Sequence, residues 1–157
     1  MEDSMTTDTT HHADQAESPS SKSFTRYLPA AGRFLMGLSF FVFGLNGFLN
    51  FIPQPKTPMP QAAAAFAAAM MNTGYMMQLV SGTQLIVGVL LLTNRFVPLA
   101  LALIAPVIVN IIMFHAVLAP SGIVPGGVVL ALELYLAWVY RKAFSPMLSM
   151  RATPHGR

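Results

Sequence analysis

Between Arg33 and Arg141 the chain carries only three formal charges, Lys56, Arg95 and Glu133. They divide the middle of the sequence into uncharged stretches at 34–55, 57–94 and 96–132. A helix needs about 20 mainly apolar residues to cross the hydrocarbon core of a bilayer, so each stretch holds at least one crossing. Composition agrees: 54% of the 157 residues are hydrophobic and 10% are charged, whereas soluble domains carry about 25% charged residues.

Apolar runs and helix breakers place four spans. Residues 33–52 form the first, stopped by Pro53 and Pro55, and residues 75–93 the second. The third, 96–118, has Pro98 in its first turn and Pro106 inside it, where one backbone hydrogen bond is lost and a kink is expected. A loop at 119–125 leads to the fourth, 126–141. Short connections make spans two to four antiparallel neighbours. Between spans one and two, Pro58 and Pro60 precede an Ala-rich stretch, 61–72, closed by Gly74. A helix of that length reaches only about 19 Å, too short to cross alone. It is expected to lie at the outer interface, with Pro60 suited to its first turn; the alternative is that it extends span two. The predicted fold class is all-α, a four-helix transmembrane bundle with a short interfacial helix.

Basic residues orient the bundle. With both ends inside (N-in/C-in), Lys22, Arg26, Arg33, Arg95, Arg141, Lys142, Arg151 and Arg157 face the cytoplasm and only Lys56 faces out. Tyr27, Trp138 and Tyr140 then suit the inner interface and Tyr75 the outer one. Five of the six acids lie in the first 17 residues. That segment lacks the apolar core and basic start of a cleaved signal and is too polar to fold. Residues 1–27 are therefore read as a disordered cytoplasmic tail, 28–147 as the membrane domain and 148–157 as a cytoplasmic C-terminal tail.

Several chemistries are set aside. The bases flank apolar segments instead of forming a clustered basic face, which argues against nucleic acid as a partner. With no cysteine there are no disulfides, thiol relays, Cys-ligated zinc or iron–sulfur clusters. Bis-histidine haem needs a second intramembrane histidine beside His115, and a retinal Schiff base needs a lysine inside a span. A Ser–His–Asp set lacks its acid on the outer face. No metal site or catalytic residue is assigned.

Polar groups in hydrocarbon need a partner, a cavity or a function. Counted at 1.5 Å per residue from the outer ends, Asn46 lies at about 9 Å, Gln84 and Glu133 at about 13 Å, Asn110 at about 12 Å and His115 at about 5 Å. Four helices thus place polar groups in the outer half, and Asn46, Gln84, Asn110, His115 and Glu133 form the candidate ligand-binding set. Gln78, Ser81, Gln84 and Gly88 make a polar and small stripe down span two, and Asn46 and Asn50 share a face. Asn110 and His115, five apart, need not point to one place. The plain reading of the amides, Ser81 and His115 is hydrogen bonding between helices or at the interface. Glu133 is harder to explain so, being the only acid beyond residue 17. Gly37, Gly44 and Gly47 on span one would let helices approach closely, within the bundle or between copies of the chain.

Five short motifs bear a likeness to a known family. They are the Arg33 opening of span one, Gly44-Leu45-Asn46, and Gly82-Thr83-Gln84 before Gly88 and a Leu run. Asn110 with Phe114-His115 ends span three, and Tyr140-Arg141-Lys142-Ala143-Phe144-Ser145-Pro146 leads out of the bundle. Over about residues 30–147 the chain resembles the DoxX-like family of small four-span bacterial and archaeal membrane proteins. Some members are membrane subunits of quinone-reducing oxidoreductases acting on sulfur compounds, and others are linked to oxidative-stress complexes. The family commonly has Lys near the end of its first-helix motif and Glu in its second, where this chain has Asn46 and Gln84. The resemblance implies a bacterial inner-membrane location, a quinone ligand with no covalently bound cofactor, and a redox enzyme as partner. The chain is accordingly expected to be an accessory membrane subunit of a quinone-linked oxidoreductase. The alternative is a non-catalytic scaffold, assembly factor or small-solute carrier.

Overall fold

The computed structural model of the chain describes residues 21–53 and 58–145. The tail segments 1–20 and 146–157, and Lys56, lie outside the described residues. The elements are α1 (Ser21–Leu49), α2 (Gln61–Asn72), α3 (Met76–Leu92), α4 (Val97–Val117), α5 (Ile123–Val139) and a short α6 (Arg141–Phe144), with a 3-10 turn at Pro120–Gly122. No strand occurs among the described residues.

The boundaries follow local chemistry. α1 begins at Ser21, within the stretch expected as tail. The helix runs through Pro29, which costs it one backbone hydrogen bond, and no Gly or Pro follows in the remainder, 21–28. It stops at Leu49, before the expected Ile52, because Asn50 turns left-handed at φ +50°. The Asn50 N–H donates to the Asn46 carbonyl at 2.8 Å, and the Ile52 N–H donates to Asn46 Oδ1 at 2.7 Å. α5 starts at Ile123 and not at 126. Pro125 falls in its first turn, where a missing N–H leaves no intrahelical bond unmade.

Three helices are long and apolar enough to cross a membrane, Tyr27–Leu49, Val97–Val117 and Pro120–Val139. The pair Gln61–Asn72 and Met76–Leu92, bent by 90°, raises the count to as many as four. The 17 residues of α3 span about 26 Å, at the short end of what a crossing requires. Large apolar side chains point outward on every long helix, among them Phe34, Phe43, Leu79, Ile86, Val109 and Leu134. Soluble monomers do not expose apolar surface on that scale, whereas lipid accepts it. This is a membrane protein.

The right-angled elbow between α2 and α3 is built by two residues. Thr73 Oγ1 donates to the Met70 carbonyl at 2.7 Å and accepts from the Met76 N–H at 3.0 Å, so one hydroxyl closes α2 and opens α3. Gly74 follows at φ +75°, a left-handed conformation that glycine adopts without penalty. α2 therefore does not continue the line of α3.

The four long helices run up and down as antiparallel neighbours, α1 against α3 and α5, and α4 against α3 and α5. The α1–α3 contact is backbone on backbone. A Cβ added at Gly44 would meet the Leu85 nitrogen at 2.5 Å, and one at Gly88 the Phe41 nitrogen at 2.5 Å. Gly37 lies against Leu91 and Leu92, and Gly47 against Ser81. The close approach expected of the span-one glycines is realised inside the bundle. At the opposite end of the same contact, the Arg33 guanidinium donates to the Leu91 carbonyl in the last turn of α3, which also accepts from the Asn94 N–H at 3.2 Å. The packed core runs from that α3–α4 turn to mid-bundle: Met36, Leu91, Leu101, Ile104, Ile108 and Leu136 are its large, fully enclosed side chains. Towards α2, α1 and α3 meet through Gly44, Gly47 and Ser81, and α4 and α5 through Ile111, Ile112 and Gly126.

Candidate functional site

Two grooves open on either side of α4. The first lies between α2, α3 and α4 and has a volume of about 410 Å³. Helical spacing explains its lining. Phe66 and Met70 are one turn apart on α2, Met76, Val80 and Gln84 recur every four residues on α3, and α4 adds Pro106, Val107 and Asn110. The elbow at Thr73–Gly74 swings Phe66 and Met70 over the upper part of α3. The Phe66 ring also reaches Phe114, with centroids 5.7 Å apart, tying α2 to the end of α4. Gln84 and Asn110 are the polar members of an otherwise apolar surface. Each offers an amide donor pair and a carbonyl acceptor. Neither titrates, so the groove can hold and orient a ligand by hydrogen bonds but cannot itself exchange protons with it. Its size and its few convergent polar groups fit a small-molecule site.

The second groove, about 330 Å³, lies between α4 and α5 and is walled by apolar side chains and Glu133. Glu133 is 7% exposed, and its Oε2 is buried without a hydrogen-bond partner. Ala137, one turn further on, lines the same groove, as its shared side of the helix predicts. α4 stands between Glu133 and the Gln84–Asn110 pair. Val107 and Asn110 face the first groove, while Ala105 and Ile108 face the second.

The five residues expected to share one site are thus distributed over four places. The structure brings Gln84 and Asn110 together and sets Glu133 apart. Asn46 ends α1 through its bond to the Ile52 N–H, and Asn50 is the left-handed residue of that same terminus. His115 closes the α4–α5 connection. Its Nδ1 lies 3.0 Å from the Ala119 carbonyl, which makes Nδ1 the protonated nitrogen, and its ring fills the space beside Gly122. The stripe on span two also divides. Ser81 and Gly88 are buried against α1, Gln84 turns to the first groove and Gln78 is exposed.

Sequence reasoning did not single out Phe66, Met70 or Met76. The four-residue spacing of Phe66 and Met70 was the available signal, in an Ala-rich helix expected only to lie at the outer interface. Only the 90° elbow turns that face onto α3. Compared with family models, with curated proteins and with solved structures, the chain matches none.

Proposed function

We propose that this chain is a DoxX-like accessory membrane subunit of a quinone-linked redox complex, and that the groove between α2, α3 and α4 holds the quinone. The observation that carries the reading is the pairing of Gln84 and Asn110, from two different helices, in one apolar groove flanked by Phe66 and two methionines. A quinone is a flat, lipid-soluble ring whose carbonyls accept hydrogen bonds, and two amides with an aromatic neighbour suit it. The groove supplies no titratable group, so electrons and protons reach the ring through a partner enzyme and water. In the same reading both termini lie in the cytoplasm and α2 rests on the outer interface of a bacterial inner membrane. Arg33, Arg95, Arg141 and Lys142 then all sit on the cytoplasmic side. The stacking of Arg141 on Trp138, 4.6 Å from the ring centroid, supports an interface at that level.

Titration of the purified protein with a short-chain ubiquinone or menaquinone analogue is expected to show saturable binding. Gln84→Leu and Asn110→Leu are each expected to weaken it about fivefold, the worth of a hydrogen bond of about 1 kcal/mol. No saturable binding, or unchanged affinity in both variants, would sink the proposal. The non-catalytic scaffold reading has its own supporting observation: Asn46 and His115 are both engaged within the chain. It predicts the null outcome of the same titration.

A further inference from the structure

We infer that the groove between α4 and α5 is a second ligand site, separate from the proposed quinone groove, and that it takes a small lipophilic cation whose charge is met by Glu133. Two independent features point there. One is the groove itself, about 330 Å³ and walled by Leu101, Ala105, Ile108, Leu130 and Ala137 with Phe144 at one end. The other is the carboxyl group within it, 7% exposed and with a buried Oε2 that has no partner. A buried oxygen left unsatisfied carries a desolvation cost that a ligand removes by supplying the missing interaction.

Charge and position select the ligand class. Glu133 is the only acid among the described residues, and no other residue lining the groove carries charge. An occupant that completes the site is therefore cationic at one point and apolar elsewhere. Glu133 lies ten residues from one end of α5 and six from the other, about 15 and 9 Å along the helix. A phospholipid headgroup stays at the interface, so the cation must be one that enters hydrocarbon with its charge shielded or delocalised. Among the described side chains, a second copy of the chain offers only Arg and Lys, whose charges are costly to bring into hydrocarbon. The cations with described side chains, Arg33, Arg95, Arg141 and Lys142, lie towards the α3–α4 turn, with Arg33 engaged by Leu91. The groove is also of small-molecule size, whereas a partner helix would need a face along the whole of α4 and α5.

Equilibrium dialysis of the full chain in maltoside micelles with tritiated tetraphenylphosphonium tests this. The expected result is saturable binding at one site per chain, weakened at least tenfold by Glu133→Gln and unchanged by Gln84→Leu. Neutral tetraphenylsilane, of similar shape, is expected not to compete. Ala137→Leu keeps the carboxyl but fills the groove, and is also expected to weaken binding at least tenfold. That variant decides the matter if Glu133→Gln loses its helical circular dichroism. Absence of saturable binding, indifference to Glu133→Gln in folded protein, or equal competition by tetraphenylsilane overturns the inference. An equal loss in Gln84→Leu would put the cation in the other groove and overturn it as well. Quinone binding is read with a different ligand and with Asn110→Leu beside Gln84→Leu, so failure of one proposal is distinguishable from failure of the other.

Discussion

At the scale of single residues, glycine sets the geometry of this protein more than any polar side chain. Gly44 and Gly88 have backbone atoms of the facing helix 2.5 Å from where a Cβ would stand. Backbone cannot yield as a flexible side-chain tip can. Gly44→Ala and Gly88→Ala must therefore push α1 and α3 apart, at a cost of about 2–3 kcal/mol. Gly127 has nothing within 4 Å of its added Cβ, so Gly127→Ala is expected to stay within about 0.5 kcal/mol. Unfolding by steric trapping in bicelles measures all three, and equal effects at Gly44 and Gly127 would refute the account. The glycines of span one were legible in sequence as points of close approach, but their partner was not. Spacing along a helix marks a face and leaves open which helix meets it. The same limit explains the candidate site. Depth along each span gathers Gln84, Asn110 and Glu133 into one set, yet α4 can turn only one face to each neighbour. Rotation about the helix axis, set by packing, separates Glu133 from the two amides.

At the scale of elements, the four long helices were readable because charge and proline punctuate long apolar runs, and polar patterning adds little to that. Less readable were the ends. Asn50 at φ +50° and the Asn46 side chain together end α1, a local device that a count of apolar residues overlooks. The elbow before α3 is another. Thr73 satisfies one carbonyl of α2 and one amide of α3 with a single hydroxyl, and Gly74 provides the turn. Thr73→Val keeps the shape and removes both bonds. It is expected to cost about 1–2 kcal/mol and to loosen α2, so that Phe66 no longer holds its place beside Phe114. Hydrogen exchange is expected to quicken over α2 while α4 stays protected. Unchanged exchange in α2 would mean that the aromatic contact alone fixes the elbow.

At the scale of the molecule, the core is densest near the α3–α4 turn, with the first groove towards α2 and the second running along α4 and α5 down to Phe144. Large side chains from α1, α3, α4 and α5 fill the region near the α3–α4 turn, whereas glycine and serine bring α1 and α3 together near α2. This division agrees with the charge pattern, since the cations with described side chains lie towards the packed end and the amides of the first groove towards the other. If the packed end is cytoplasmic, the quinone groove faces the outer leaflet beneath α2, and a partner enzyme reaching it must dock from outside or through the lipid. Orientation is therefore a functional question. The chain has no cysteine, so single cysteines make unambiguous reporters. Gln61→Cys, Tyr75→Cys and Ser121→Cys are expected to react with a membrane-impermeant maleimide added outside intact cells. Asn94→Cys is expected to react only after the inner membrane is opened, as is Ser145→Cys. All five positions are exposed, so labelling reports side and not burial. Reaction of Asn94→Cys from outside would invert the bundle. Reaction of Gln61→Cys and Tyr75→Cys from opposite sides would mean that α2 crosses the membrane, and the outer-interface placement of that helix would fall.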